Sequence, residues 1–167
     1  MTRKNAKITQ CDSTSHGCSG GWTENAYNYV KKAGGIETNA DYPYTSYSGT
    51  TGSCHSTASK FVVAVSSYYT VKGESNMASY VQKTGPLSVC VDASTWNSYR
   101  SGIMSSCGTS VNHCVQAVGV DAASGGYWKV RNSWATSWGE SGHIRLAYGK
   151  NTCAITHDPT YVSVVKK

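Results

Sequence analysis

Charge is scarce in this chain. Only 14% of its 167 residues are Asp, Glu, Lys or Arg, and the formal charge of +6 comes from basic residues scattered no more densely than in pairs. Nucleic-acid recognition asks for a basic stripe or patch, so nucleic acid is not an expected partner and a mildly basic, solvated surface is the reading. Long apolar runs are absent as well. Phe61-Val62-Val63-Ala64-Val65 falls far short of the roughly 20 residues that span a bilayer, so no membrane partner is expected. Met1-Thr2-Arg3-Lys4-Asn5-Ala6-Lys7 has no apolar segment behind it, so no signal peptide is visible. Phenylalanine is nearly missing (1) although tyrosine is plentiful (12). There is no Cys-x-x-Cys and no His pair at metal-ligand spacing, which argues against a zinc site. No metal and no other cofactor is expected, and there are neither repeats nor low-complexity tracts.

Cysteine, by contrast, is abundant: seven residues. That density suits a disulfide framework in an oxidising compartment, and the odd count leaves one thiol over. Secretory-style cysteines without a secretory signal raise the expectation that sequence upstream of Met1 is missing. With 39% apolar residues and 17 glycines, the chain reads as an ordered, loop-rich globule containing β-structure. Its length allows one domain or two small lobes.

The periodicity predicts a helix from Trp22 to Ala33, with Trp22, Ala26, Tyr29, Val30 and Ala33 on one side and Gly34-Gly35 as its stop. Residues 39–60 read as surface loop. Phe61 to Val71 reads as a strand or two. Glu74 to Thr84 reads as a short helix with Met77, Tyr80 and Val81 inward. Leu87–Val91, His113–Val120, Tyr127–Asn132 and His143–Ala147 read as strands joined by Gly and Ser turns.

Chemistry gathers in two of these stretches. Val111-Asn112-His113-Cys114 places a histidine on one strand, and Tyr127-Trp128-Lys129-Val130-Arg131-Asn132-Ser133-Trp134 places an asparagine on another, between tryptophans. That is the orienting half of a cysteine-nucleophile site, in which His113 is the base and Asn132 holds its ring. Taken alone, His113 reads more simply as a hydrogen-bonded strand histidine, and the context of Asn132 reverses that; the other reading of Asn132, a turn residue, is opposed by the tryptophans on both sides.

These residues and others resemble the papain family of cysteine peptidases, which includes the cathepsins. Gln10-Cys11-Asp12 with Gly17-Cys18-Ser19-Gly20-Gly21 is similar to the family's Asp-Cys-Asp and Gly-Cys-Asn-Gly-Gly elements. Gly34-Gly35-Ile36-Glu37, Asp41-Tyr42-Pro43-Tyr44 and Gly85-Pro86-Leu87-Ser88-Val89 follow. Asn112-His113, Asn132-Ser133-Trp134-Ala135-Thr136-Ser137-Trp138-Gly139-Glu140 and Gly142-His143-Ile144-Arg145 complete the match, which runs from about Ile8 to the C-terminus.

The resemblance implies an α+β, papain-like fold: a remnant of the helical left lobe over 8–60, followed by an antiparallel, barrel-like right lobe over 61–167. It implies a cysteine endopeptidase acting on peptide or protein substrates. Its localisation would be secreted, lysosomal or otherwise endomembrane. The family's nucleophile sits in a Cys-Gly-Ser-Cys-Trp element that nothing here matches. The expectation is therefore a truncated, C-terminal portion, inactive alone, whose partner is a missing N-terminal segment carrying the nucleophile. A catalytically inactive binding or structural protein is the other reading.

By resemblance, Trp134 supports the His113–Asn132 bond by shielding it. Gly20 and Gly21 form the edge where substrate backbone pairs, and a tight turn is their other reading. Cys90, Asn112, Cys114 and Asp158 join them in binding substrate. Cys90, Cys114 and Asp158 stand where the family builds its second specificity pocket. Cys90 and Cys114 read as two buried thiols or a disulfide, with the disulfide expected. Asp158 reads as the floor of that pocket or as a solvated loop carboxylate. Cys11–Cys54 and Cys107–Cys153 are the implied family disulfides, leaving Cys18 without a partner. The chain departs from the family at Cys90, at Cys114 and at Ala135, where glycine is usual.

Overall fold

The computed structural model describes residues 6–167. The first five residues, on which the reading of the N-terminus partly rests, lie outside it. The helices are α1 (Ala6–Cys11), α2 (Thr23–Ala33) and α3 (Glu74–Lys83). The strands are β1 (Ile36–Glu37), β2 (Phe61–Thr70), β3 (Leu87–Val91), β4 (Ile103–Met104), β5 (His113–Asp121), β6 (Tyr127–Arg131), β7 (His143–Ala147) and β8 (Thr160–Lys166). The fold class is α+β, and no helix among the described residues is long and apolar enough to cross a membrane. Two compact units divide the chain: Thr70–Tyr161, and the preceding residues through Tyr69 together with Val162–Lys167.

In the unit that begins with α1, α2 starts after Trp22 and ends on Gly34, whose φ of 83° is the left-handed cap that glycine adopts without strain. Glu24 in its first turn and Lys31 and Lys32 in its last complement the helix dipole. Trp22 departs from expectation. It is extended at the N-cap and 52% exposed, because it precedes the first helical turn and so lies off the helix's buried side. Antiparallel β1 pairs with β2, Ile36 opposite Val63. Ion pairing fixes this region from inside: fully buried Lys7 lies 3.2 Å from Glu37, donates to the Gly35 carbonyl at 2.7 Å and sits over the Phe61 ring. Residues 38–57 form neither helix nor strand. The Cys11–Cys54 disulfide ties their far end to α1.

The other unit is built on a sheet in which β3 pairs with β5, β5 with β6 and β6 with β7, all antiparallel, while short β4 adds in parallel to β7. Alternation sets its core. Leu87, Val89, Val91, Ala117, Trp128, Val130, Ile144 and Leu146 are all fully buried on one face, and Met77 and Ala78 of α3 join the same cluster. The Cys107–Cys153 disulfide closes the loop beyond β4 onto the turn that precedes β8.

Candidate active site

His113 opens β5, directly opposite Val91 of β3. On the other side of β5, Gln116 faces Arg131, the last residue of β6. One residue further, Asn132 falls opposite Val115, which makes His113 its diagonal neighbour on the same face. Diagonal pairs on a sheet remain within reach of longer side chains. The His113 Nε2 to Asn132 Oδ1 distance is 2.8 Å.

The direction of that bond follows from a second one. The Ser133 backbone N–H donates to the same Asn132 Oδ1 at 2.7 Å. Turning the amide over would point its NH2 at that N–H, donor against donor, so the oxygen is fixed as acceptor. His113 Nε2 must then carry a proton, and in the neutral ring Nδ1 keeps the lone pair. A neutral imidazole with Nδ1 open can accept a proton, which is the competence a general base needs.

Aromatic rings wall this pair. Asn132 is 2% exposed. Trp134 stacks on the imidazole with centroids 5.5 Å apart, and Trp96 meets it edge-on at 6.2 Å. Trp138 stands perpendicular to Trp134 and donates its indole N–H to the Trp96 carbonyl at 3.1 Å. Keeping water from the hydrogen bond strengthens it. Of these rings Trp134 was expected as a shield and Trp138 stood in the matched motif without an assigned role. Trp96 lies in a polar stretch without periodicity, and nothing local announces it.

The segment leading into His113 is tied down by polar groups. Asn112 Oδ1 accepts the Ala93 N–H at 3.0 Å, its Nδ2 donates to Ser94 Oγ at 2.8 Å, and its own N–H donates to the Val91 carbonyl. Asp92, absent from the sequence reading, accepts the N–H groups of Ser94 and Ser110. Hydrogen bonds from Ser94, then from Ser110 and Asn112, outweigh desolvation and hold the Asp92 carboxyl below the ordinary carboxylate range. Cys90 and Cys114, directly opposed, are joined by a disulfide with Cα atoms 4.0 Å apart. Asp158 is half-buried in the bend before β8 and engaged by its neighbours.

Gly20 and Gly21 belong to the other unit. Gly20 has φ 101°, which an L side chain resists, and its carbonyl accepts the His16 N–H at 2.8 Å. A Cβ on Gly21 would collide with the Ser15 side chain. Both glycines are thus required by the turn itself. Cys18, just before them, is exposed and unpaired.

Known proteins agree with this architecture. The profile of the papain family cysteine protease matches residues 4–163. The chain is 39% identical to cysteine proteinase A of Leishmania mexicana over 161 residues, covering 94% of this chain and 46% of that protein. It is 43% identical to cathepsin L 2 of Paramecium tetraurelia over 145 residues, covering 87% and 44%. Among solved structures, the bromelain protease from Ananas comosus in complex with the E64 inhibitor superposes with a TM-score of 0.81 at 33% identity, covering 95% of this chain and 76% of that one. Digestive procathepsin L 3 of Tenebrio molitor gives 0.86 at 32% identity, covering 95% and 54%. Fold and comparison together define a papain-like cysteine protease architecture. The chain belongs to the papain family of cysteine proteases, and it spans about half the length of the curated relatives it matches.

Proposed function

We propose that this chain supplies the base and its orienting partner to a papain-like cysteine endopeptidase whose nucleophilic cysteine is contributed by residues outside it. The observation that carries the reading is the His113–Asn132 bond, locked in one tautomer by the Ser133 amide. His113 Nδ1 takes the proton of the nucleophilic thiol. The thiolate attacks the peptide carbonyl, and His113 then protonates the leaving amine. Asn132 keeps the ring in the productive tautomer and Trp134 shields the bond. Gly20 and Gly21 supply the edge for an extended substrate backbone. Asn112, Cys90, Cys114 and Asp158 shape the pocket for a substrate side chain, with the disulfide narrowing it. The disulfides and the cathepsin-like relatives support a secreted or lysosomal setting.

The test is complementation. The chain alone should show no inhibitor-sensitive hydrolysis of fluorogenic peptides, since losing a nucleophile costs several orders of magnitude. Co-refolding with a papain-family N-terminal segment bearing Cys-Gly-Ser-Cys-Trp should restore turnover, and His113→Ala should abolish it again. A co-refolded, folded complex that stays inactive, or one indifferent to His113→Ala, overturns the assignment.

A further inference from the structure

His113 is reached through an irregular run. Residues 108–112 lie between Cys107, held by its disulfide to Cys153, and the start of β5. They form neither helix nor strand, and all but half-buried Val111 are exposed. Exposed irregular backbone opens more easily than a strand, so a base delivered by such a run has to be held from behind. One side chain just past the end of β3 does this. Asp92 is 4% exposed. Its Oδ2 accepts the Ser110 N–H at 2.9 Å and its Oδ1 accepts the Ser94 N–H at 3.0 Å. A single carboxylate thus ties the run before His113 to the turn after β3. Gly108 passes so close to Oδ2 that a Cβ there would collide with it. Ser94 extends the link. Its Oγ accepts from Asn112 Nδ2 at 2.8 Å, and its hydroxyl proton goes to the Asp92 carboxylate. Asn112, oriented by that bond and by the Ala93 N–H on its Oδ1, immediately precedes His113.

The same turn delivers Trp96. Its backbone N–H donates to the Ala93 carbonyl at 3.0 Å, and its ring is fully buried, edge-on to the imidazole. The Trp96 indole N–H has no hydrogen-bond partner among the described residues. No polar contact of the ring itself therefore fixes its place, and the backbone of the turn must.

We propose that Asp92 is a positioning residue for the base. It sets both the backbone that carries His113 and the Trp96 ring against which the imidazole is seated. It acts through Ser94, Ser110 and Asn112 and takes no part in proton transfer. A carboxylate is required because both of its oxygens face backbone N–H donors. Asp92→Asn keeps one acceptor and turns an NH2 toward the other amide, donor against donor, so one of the two ties is lost. The kinetic side of this role rests on the proposed reading of His113 as the base; the placement of the ring does not.

The test is made on the 15N-labelled whole chain. Long-range proton–nitrogen correlation reads the His113 tautomer, and the ring-proton shifts read its seat between Trp96 and Trp134. Asp92→Asn should move the His113 ring protons and admit the Nδ1–H tautomer, while amide signals away from residues 92–96 and 108–113 stay in place. Ser94→Ala, which removes only the hydroxyl link, should shift the same ring protons by less. Glu74→Gln alters a carboxylate that accepts the Trp128 indole N–H at 2.8 Å and should leave His113 unmoved. In the co-refolded enzyme Asp92→Asn should lower kcat about tenfold to a hundredfold with KM changed by less than about twofold. The proposal is overturned if folded Asp92→Asn keeps the wild-type His113 signals, or if Glu74→Gln disturbs them as much. Should Asp92→Asn fail to fold, unmoved signals in Ser94→Ala overturn it instead. A wild-type complex without activity counts against the proteolytic reading alone, and the ring signals then decide the role of Asp92.

Discussion

Glu74, the first residue of α3, should be worth far more than an exposed helix-terminal carboxylate. Its Oε1 accepts the Trp128 indole N–H at 2.8 Å and the Gly149 N–H at 2.9 Å, and its Oε2 accepts the Asn151 N–H at 3.0 Å. Trp128 is fully buried at the centre of the sheet. Glu74→Ala would leave that indole N–H unsatisfied, at about 1–3 kcal/mol, while the two backbone amides lie where water can replace the carboxylate, at about 0.5–1 kcal/mol each. The expected loss is about 3 kcal/mol in urea denaturation. Glu74→Gln keeps one carbonyl oxygen for Trp128 and should lose about 1 kcal/mol. Trp128→Phe removes the donor, so in that background Glu74→Ala should cost about 1–2 kcal/mol less, a coupling outside the 0.3–0.5 kcal/mol scatter of independent sites. Strict additivity of the two substitutions would refute the claim that this hydrogen bond holds α3 to the sheet.

Three further outcomes are expected. The Arg145 guanidinium, helped by the Gly102 N–H, lowers the Glu140 carboxyl to about 2; its folded value lies below the unfolded one near 4.5, so its stabilisation is complete above 4.5 and disappears as pH falls through 2. Acid titration of Glu140→Gln should show a shallower loss across that window, and an unchanged profile would contradict the pairing. Ala135 sits at φ 69°, a left-handed conformation costing an L-residue about 1–2 kcal/mol, so Ala135→Gly should raise stability by about 0.5–1 kcal/mol after the unfolded-chain entropy of glycine is counted; a drop in Tm would show that the methyl earns its place by packing. Replacing Cys90 and Cys114 by alanine opens a link between residues 24 apart in sequence and should cost about 3 kcal/mol on chain-entropy grounds, with faster amide exchange in β3 and β5; unaltered exchange there would rule the bridge out as a brace for the His113 strand.

Local signals carried much of the architecture. The Gly34 stop, the apolar spacing of α2 and the Gly85-Pro86 break before β3 are all rules of backbone geometry, and those elements formed close to the expected limits. Trp22 misled because helical periodicity counts an N-cap residue as though it were already in the helix. β4 was illegible because two residues carry no period; its parallel pairing with β7 creates it. β8 was missed because Ser163, Val164 and Val165 are all exposed, so no inward alternation marks the strand. At the site, residue types and their tryptophan brackets pointed to His113 and Asn132. The ring of Trp96 and the Asp92 clamp depend on how distant segments are brought together, which no short window of sequence contains.

The Ser133 amide gives the site an unusual kind of durability. The group that fixes the Asn132 oxygen belongs to the main chain, so nineteen of the twenty residues at position 133 would preserve it and only proline would remove it. Drift at this position can change the side chain freely without disturbing the imidazole tautomer. Selection acting on the tautomer is therefore concentrated on Asn132 and His113 themselves, and a lineage that abandoned the chemistry would reveal it first at those two positions, while the amide beside them stayed in place.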